Sequence, residues 1–134
     1  MKKEEKLAHE IMKAANEIVH GNFKVGQRDD YFVVWKNLIN KQGNLIEISC
    51  ALKEEIVQPR VIVSHCKYDI EDVRKIIDSI GFPVFLTRNE EELFAIETSM
   101  NFWDFENVKH IIACRMMLSM AESTLKVLEE KQKK

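Results

Sequence analysis

Three strand-like segments follow one another in the first half of the chain, and the links between them are short. They are YFVVWKNLI (31–39), LIEISCALK (45–53) and RVIVSHCKY (60–68), and all are rich in β-branched or aromatic residues. Parallel neighbours need a long crossover, whereas the link 40–44 has the length of a hairpin loop. The pattern predicts an antiparallel meander, with residues 22–27 as a short extra edge strand.

Helical periodicity flanks these strands. Residues 3–20 repeat apolar side chains at helical spacing, and Gly21 follows as a stop. Asp69 is a suitable N-cap for a second helix that ends at Gly81. Residues 84–88 and 93–98 read as a hairpin. The sequence therefore predicts an α+β fold, ordered α-β-β-β-α-β-β-α, with a mainly antiparallel sheet packed by helices.

The last predicted element is a long amphipathic helix that begins near Asp104. Its apolar face is wider than one packing contact requires, which indicates either deep burial or contact with another chain. One flank contains Ile111, Cys114, Leu118, Ala121, Leu125 and Leu128. The second flank contains Val108, Ile112, Met116, Met117 and Met120. We expect a single domain over 1–130 and a disordered basic tail over 131–134.

Composition narrows the classes of function. The formal net charge is −2, which gives no general attraction for polyanions, so nucleic acid is not expected as a ligand. The cysteines Cys50, Cys66 and Cys114 form no CxxC pair, which fits a reducing compartment. The charged N-terminal segment and the lack of a long apolar run predict a cytoplasmic protein without a membrane segment.

The pair His65-Cys66 is the most reactive-looking motif in the chain. Neighbouring residues on a strand point to opposite faces, so an extended backbone prevents His65 from acting as a base for Cys66. Asp69 also opens its helix too late for Cys66 to lie at the helix N-terminus, where thiol pKa values fall. We therefore expect a structural role, and a nucleophilic or redox-sensing Cys66 is the alternative.

No other pattern supports catalysis, a cofactor or a metal. The histidines lack a second ligand at zinc-motif spacing, and no glycine-rich phosphate loop is present. The acidic runs fall at turns and helix starts, where solvated charge is typical. The sequence predicts no catalytic residue, no cofactor and no metal site.

Aromatic and methionine residues are the candidates for a partner or dimer interface, because such side chains are enriched at interaction surfaces. Each has a core-packing alternative, and an aromatic residue before the last helix can also act as a hydrophobic staple. The candidates are Trp35, Phe102, Trp103, Phe105, Met116, Met117 and Met120.

From about Tyr31 to Leu128 the order of elements resembles the fold shared by type III secretion chaperones and YbjN-like proteins. The segments that carry the resemblance are VVWKNLI, NLIEISCALK, RVIVSHC, DIEDVRKIIDSIGF, PVFLTRNEEELFAIE and the final helix. The extra strand near Phe23–Val25 and the weak negative charge depart from that family. The resemblance implies a homodimer that binds a segment of another protein and catalyses nothing, and it assigns no functional residue.

Three functions follow as expectations. The first is a non-enzymatic protein-binding module, chaperone-like or regulatory, that acts as a homodimer and holds a segment of a partner protein. The second is a small cysteine-dependent enzyme or redox sensor that uses Cys66. The third is an immunity or phage-type inhibitor of a macromolecular partner.

Overall fold

A computed structural model of the chain describes residues 3–19, 21–39, 43, 45–53, 56–64, 70–88, 94–97, 100–101 and 109–132. These residues form three helices and seven strands, and the fold is α+β as predicted. In chain order the elements are α1 (Lys3–Val19), β1 (Lys24–Arg28), β2 (Tyr31–Ile39), β3 (Leu45–Lys53), β4 (Ile56–Ser64), α2 (Ile70–Ser79), β5 (Phe85–Arg88), β6 (Phe94–Glu97), β7 (Met100–Asn101) and α3 (Lys109–Gln132).

The strands form one antiparallel sheet with the order β1-β2-β3-β4-β6-β5, and β7 pairs with the start of β4. The predicted meander is confirmed in β2, β3 and β4, and the expected extra edge strand is β1. After β4 the chain passes through α2 and returns as the β5-β6 hairpin. Because β6 pairs with β4, β5 becomes the second edge of the sheet.

The strand boundaries differ most from the prediction in β4, while β1 begins two residues and β5 one residue later than predicted, and the short β7 is not predicted. β2 and β3 have the predicted limits, whereas β4 begins at Ile56 instead of Arg60 and contains the buried Pro59 opposite Cys50. Proline has no N–H group to donate to the hydrogen bonds between strands, so it is rare inside strands. The predicted strand therefore starts after Pro59. Residues 65–69, including His65 and Cys66, lie outside the described residues, so the predicted facing of this pair stays a prediction.

The helices cover one face of the sheet, and the core lies between them. Alternate residues of β3, namely Ile46, Ile48, Cys50 and Leu52, point into this core as predicted. α1 contributes Leu7, Ala8, Ile11 and Ala15, α2 contributes Ile76, and Ile80 follows directly after α2.

The buried face of α3 lies between the two predicted flanks of that helix. It contains Ala113, Cys114, Met117, Met120, Ala121, Thr124, Val127 and Leu128. Ile111 and Ile112, which were assigned to the two apolar flanks, are exposed. The buried Thr124 satisfies its hydroxyl by donating a 2.8 Å hydrogen bond to the carbonyl oxygen of Met120, so a polar residue occupies the core without cost to hydrogen bonding.

The opposite face of the sheet is curved. Arg28 Nη2 lies 2.6 Å from Glu47 Oε1, although Arg28 pairs with Tyr31 and Glu47 pairs with Asn37 near the other end of β2. In a flat sheet these positions would be about 20 Å apart along the strand, beyond the reach of both side chains. The ion pair therefore requires a sheet that curls, with this face concave.

Candidate functional site

An apolar groove opens on the helical side of the sheet, and we call it the α1–α3 groove. Its volume is about 630 Å³. It is lined by Ile18, Val19, Phe23, Lys36, Leu38, Ile48, Leu118, Ala121, Glu122, Leu125, Lys126 and Glu129. α1 and α3 thus form its two walls, and β2 with β3 forms its floor.

The wall from α1 is apolar and accessible. Ile18 belongs to the same helical stripe as the buried Leu7 and Ile11, yet 49% of its surface is exposed, and Val19 beside it is 44% exposed. Side chains of this kind lose free energy when they leave water, by roughly 25 cal/mol for each Å² that becomes covered. This last turn of α1 is therefore a surface on which an apolar ligand gains affinity.

The wall from α3 alternates apolar and acidic side chains. Leu118, Glu122, Leu125 and Glu129 recur at the 4–3–4 spacing that stacks residues on one helical face. This stripe is the edge of the helix next to its buried face. The leucines line the groove, and Lys126 adds one cation near the two glutamates.

A side-chain clamp fixes the position of Phe23 at the end of the groove. The backbone N–H of Phe23 donates a 2.7 Å hydrogen bond to Asn16 Oδ1, and Asn16 Nδ2 donates one of 3.3 Å to the carbonyl oxygen of Phe23. Both backbone groups of Phe23 are therefore used by α1. The clamp holds the buried Phe23 ring in the floor of the groove.

Lys36 supplies a cation to the groove floor. Its side chain is half-buried, and Nζ lies 5.8 Å from the centroid of the Phe23 ring, a favourable cation–π distance. Among the residues that the structure describes, no carboxylate lies within 4.0 Å of Lys36 Nζ. The same criterion finds no partner for Glu122, Lys126 or Glu129 within the described ranges.

The candidate residues from the sequence are not gathered in this groove. Met117 and Met120 are fully buried in the core, so neither is free to contact a partner, and the half-buried Met116 does not line the groove. Trp35 lies on the concave face, where its Nε1 is 3.3 Å from the position that a Cβ would take at Gly26. Phe102, Trp103 and Phe105 lie outside the described residues.

Sequence reasoning missed most of the groove. Leu118 and Leu125 belong to one predicted apolar flank of α3, and Ile18 belongs to the apolar stripe of α1. No sequence pattern indicates that these two helices are neighbours. The sequence does not mark Lys36 as a site residue, because the side chain of a lysine on a strand is usually in contact with water. The useful clue was the surplus width of the apolar face of α3.

The two described cysteines are buried and free. Burial raises the pKa of the Cys50 thiol far above its ordinary value, although the charge of Arg60 acts in the opposite direction. Burial also raises the pKa of Cys114, to about 11. Thiolate is the reactive form, so neither residue is suited to nucleophilic chemistry at neutral pH. Cys66 lies outside the described residues.

We expect Cys114 to react with a thiol reagent about 100-fold more slowly than a thiol of ordinary pKa at pH 8. The shift from 9.0 to about 11 reduces the thiolate fraction by that factor, and burial slows access further. The rate should rise about tenfold per pH unit below pH 11. Timed alkylation with mass spectrometry of each cysteine peptide measures this, and rapid labelling of Cys114 in the native protein would contradict it.

Metal binding has no support in the described residues. Among them, no group of three or more His, Cys, Asp or Glu side chains could hold a metal ion. None of the helices in the described ranges has the length and apolarity that crossing a membrane requires.

The chain matches no protein-family model, no curated protein and no solved structure. The α1–α3 groove is the candidate site because of its shape and its apolar lining.

Proposed function

We propose that this chain is a non-enzymatic protein-binding module that acts as a homodimer and holds a segment of a partner protein in the α1–α3 groove. The observation that carries the proposal is the accessible apolar groove of about 630 Å³ between two helices. Ligand sites commonly have volumes in this range and a mainly apolar lining with a few polar groups.

The geometry favours a segment of another protein as the ligand. Grooves between helices commonly bind the apolar face of an amphipathic segment, with charged side chains at the rim. Here Ile18, Val19 and Leu125 offer the apolar surface, and Glu122 and Glu129 provide a charged rim. The resemblance to secretion chaperones and YbjN-like proteins supports the same type of activity.

The homodimer has separate support. Ile39, Ile56, Ile111 and Ile112 are exposed and do not line the groove. Ile111 and Ile112 are neighbours near the start of α3, whereas Ile39 and Ile56 lie at opposite ends of the sheet, so we place the second contact surface at the start of α3. Sedimentation velocity at micromolar concentration should give the mass of a dimer, and a monomer would remove this part of the proposal.

Substitution of Leu125 tests the groove. Peptides are first selected from a random displayed library against the immobilised wild-type protein, and their affinities are then measured by fluorescence anisotropy. Leu125→Asp should weaken the selected peptides by about 30-fold or more, as expected for the loss of a central apolar anchor. Ile77→Asp is the matched control, because it places the same charge at a half-buried apolar position of a helix, α2, that does not line the groove.

The two variants separate the possible results. Loss of binding in Leu125→Asp with retained binding in Ile77→Asp supports the groove. Equal affinity for both variants, or a selection that enriches no peptide, would overturn the proposal. Circular dichroism and thermal melting of each variant show whether the fold is retained.

A further inference from the structure

The charges around the groove indicate the chemistry of its ligand. We infer that the bound segment carries an aspartate or glutamate whose carboxylate pairs with Lys36 on the groove floor. The inference rests on the proposed function, since it specifies the partner of the same groove. It adds a residue that determines specificity.

Lys36 is held in place rather than free in solvent. It shares its face of β2 with Val34 and Leu38, so its side chain points to the helical side of the sheet. Its Nζ is 5.8 Å from the Phe23 ring centroid and 3.3 Å from the position that a Cβ would take at Gly21. The ammonium group therefore occupies a defined place between the sheet and the described residues Gly21 and Phe23.

This cation has no carboxylate within 4.0 Å in the described part of the chain. Partial removal from water without an opposite charge is unfavourable for an ammonium group. A carboxylate delivered by the ligand would form a charge-assisted hydrogen bond in an apolar setting, where such bonds are strong. The Phe23 ring face compensates for the missing anion only in part.

The floor and the α3 wall of the groove carry opposite charges. Lys36 lies on the floor beside α1, whereas the α3 wall carries Glu122 and Glu129 with the single cation Lys126. A fatty acid would pair with Lys36 but offers no cation to the acidic wall. A peptide can present an acid on one side and a basic or polar residue on the other. Charge complementarity therefore favours a peptide segment over a small amphipathic acid.

The test repeats the peptide selection on three proteins: wild type, Lys36→Gln and Lys36→Glu. Wild type should enrich an acidic residue at one fixed position among apolar residues. Lys36→Glu should enrich lysine or arginine at that position, and Lys36→Gln should show no charge preference there. Lys24→Gln is the matched control, because Lys24 is an exposed lysine on the concave face.

A double-mutant cycle measures the pair directly. Replacing the acid in a selected peptide by its amide should weaken binding to wild type about tenfold or more. The same replacement should change binding to Lys36→Gln by less than about twofold, because the partner of the acid is absent. Thermal melting of both variants shows that the fold persists.

The outcomes distinguish this inference from the proposed function. Peptides that need Leu125 but show no acidic preference would overturn the role of Lys36 and leave the groove as a binding site. A selection without binding peptides would remove both. Calorimetric binding of decanoate to the groove, with no peptide bound, would identify a small amphipathic acid and overturn the peptide ligand.

Discussion

Met117→Ala is expected to lower the free energy of unfolding by about 2–5 kcal/mol, whereas Met116→Ala should lower it by less than about 1 kcal/mol. Met117 is fully buried among the side chains of the core, so truncation removes apolar contacts and leaves a cavity. Met116 is half-buried on the edge of the same helix, where water can replace the lost atoms. The two residues are neighbours of the same type, so the comparison isolates burial.

Urea denaturation followed by far-UV circular dichroism measures both changes. The midpoint should shift strongly for Met117→Ala with little change in the slope, because both variants unfold the same surface. If the protein is a dimer, the comparison must be made at equal protein concentration, since dissociation contributes to stability. Equal destabilisation by the two substitutions would contradict the placement of Met117 in the core.

The sheet could be predicted from sequence because its signals are local. Tyr31–Ile39 and Leu45–Lys53 are strands whose residue types and flanking turns suffice to place both ends. The start of the next strand was wrong because the local rule against proline does not include the tertiary packing that keeps Pro59 in β4. Long-range pairing overrode a short-range preference.

The buried face of α3 was harder to predict, because a search for helical periodicity considers the positions of apolar residues alone. Thr124 is fully buried at the centre of the helix face, but a hydroxyl group carries no apolar signal. If Thr124 is left out, the apolar residues of α3 divide into two flanks, and Met117 and Met120 fall in the second flank. The buried face actually runs between those flanks, and the first flank reaches the groove through Leu118, Ala121 and Leu125.

The groove itself could not be found from sequence, because it depends on where a neighbouring element stops covering a helix. Ile18 repeats the spacing of Leu7 and Ile11, and all three look equivalent in the sequence. In the folded chain the first two are buried and Ile18 is half exposed, because the described elements that pack on α1 leave its last turn partly open. The segment after this helical turn is held by the side chain of Asn16, which bonds both backbone groups of Phe23.

Asn16→Ala should lower the free energy of unfolding by about 2 kcal/mol and should also weaken ligands of the groove. The substitution leaves the N–H and the carbonyl group of Phe23 without their partners in a partly buried site, and such a loss costs about 1–3 kcal/mol. Glu17→Ala is the matched control, because Glu17 is the next residue of α1 and is exposed. Urea denaturation provides the comparison.

Asn16→Asp separates the two hydrogen bonds of the clamp. Its carboxylate can still accept from the N–H of Phe23, which is the shorter bond at 2.7 Å, but it cannot donate to the carbonyl oxygen. We expect an intermediate loss of stability and most of the peptide affinity to remain, because Phe23 keeps its place in the groove floor. If Asn16→Ala destabilises the protein but leaves the affinity of the selected peptides unchanged, the clamp supports the fold alone and the floor of the groove does not depend on it.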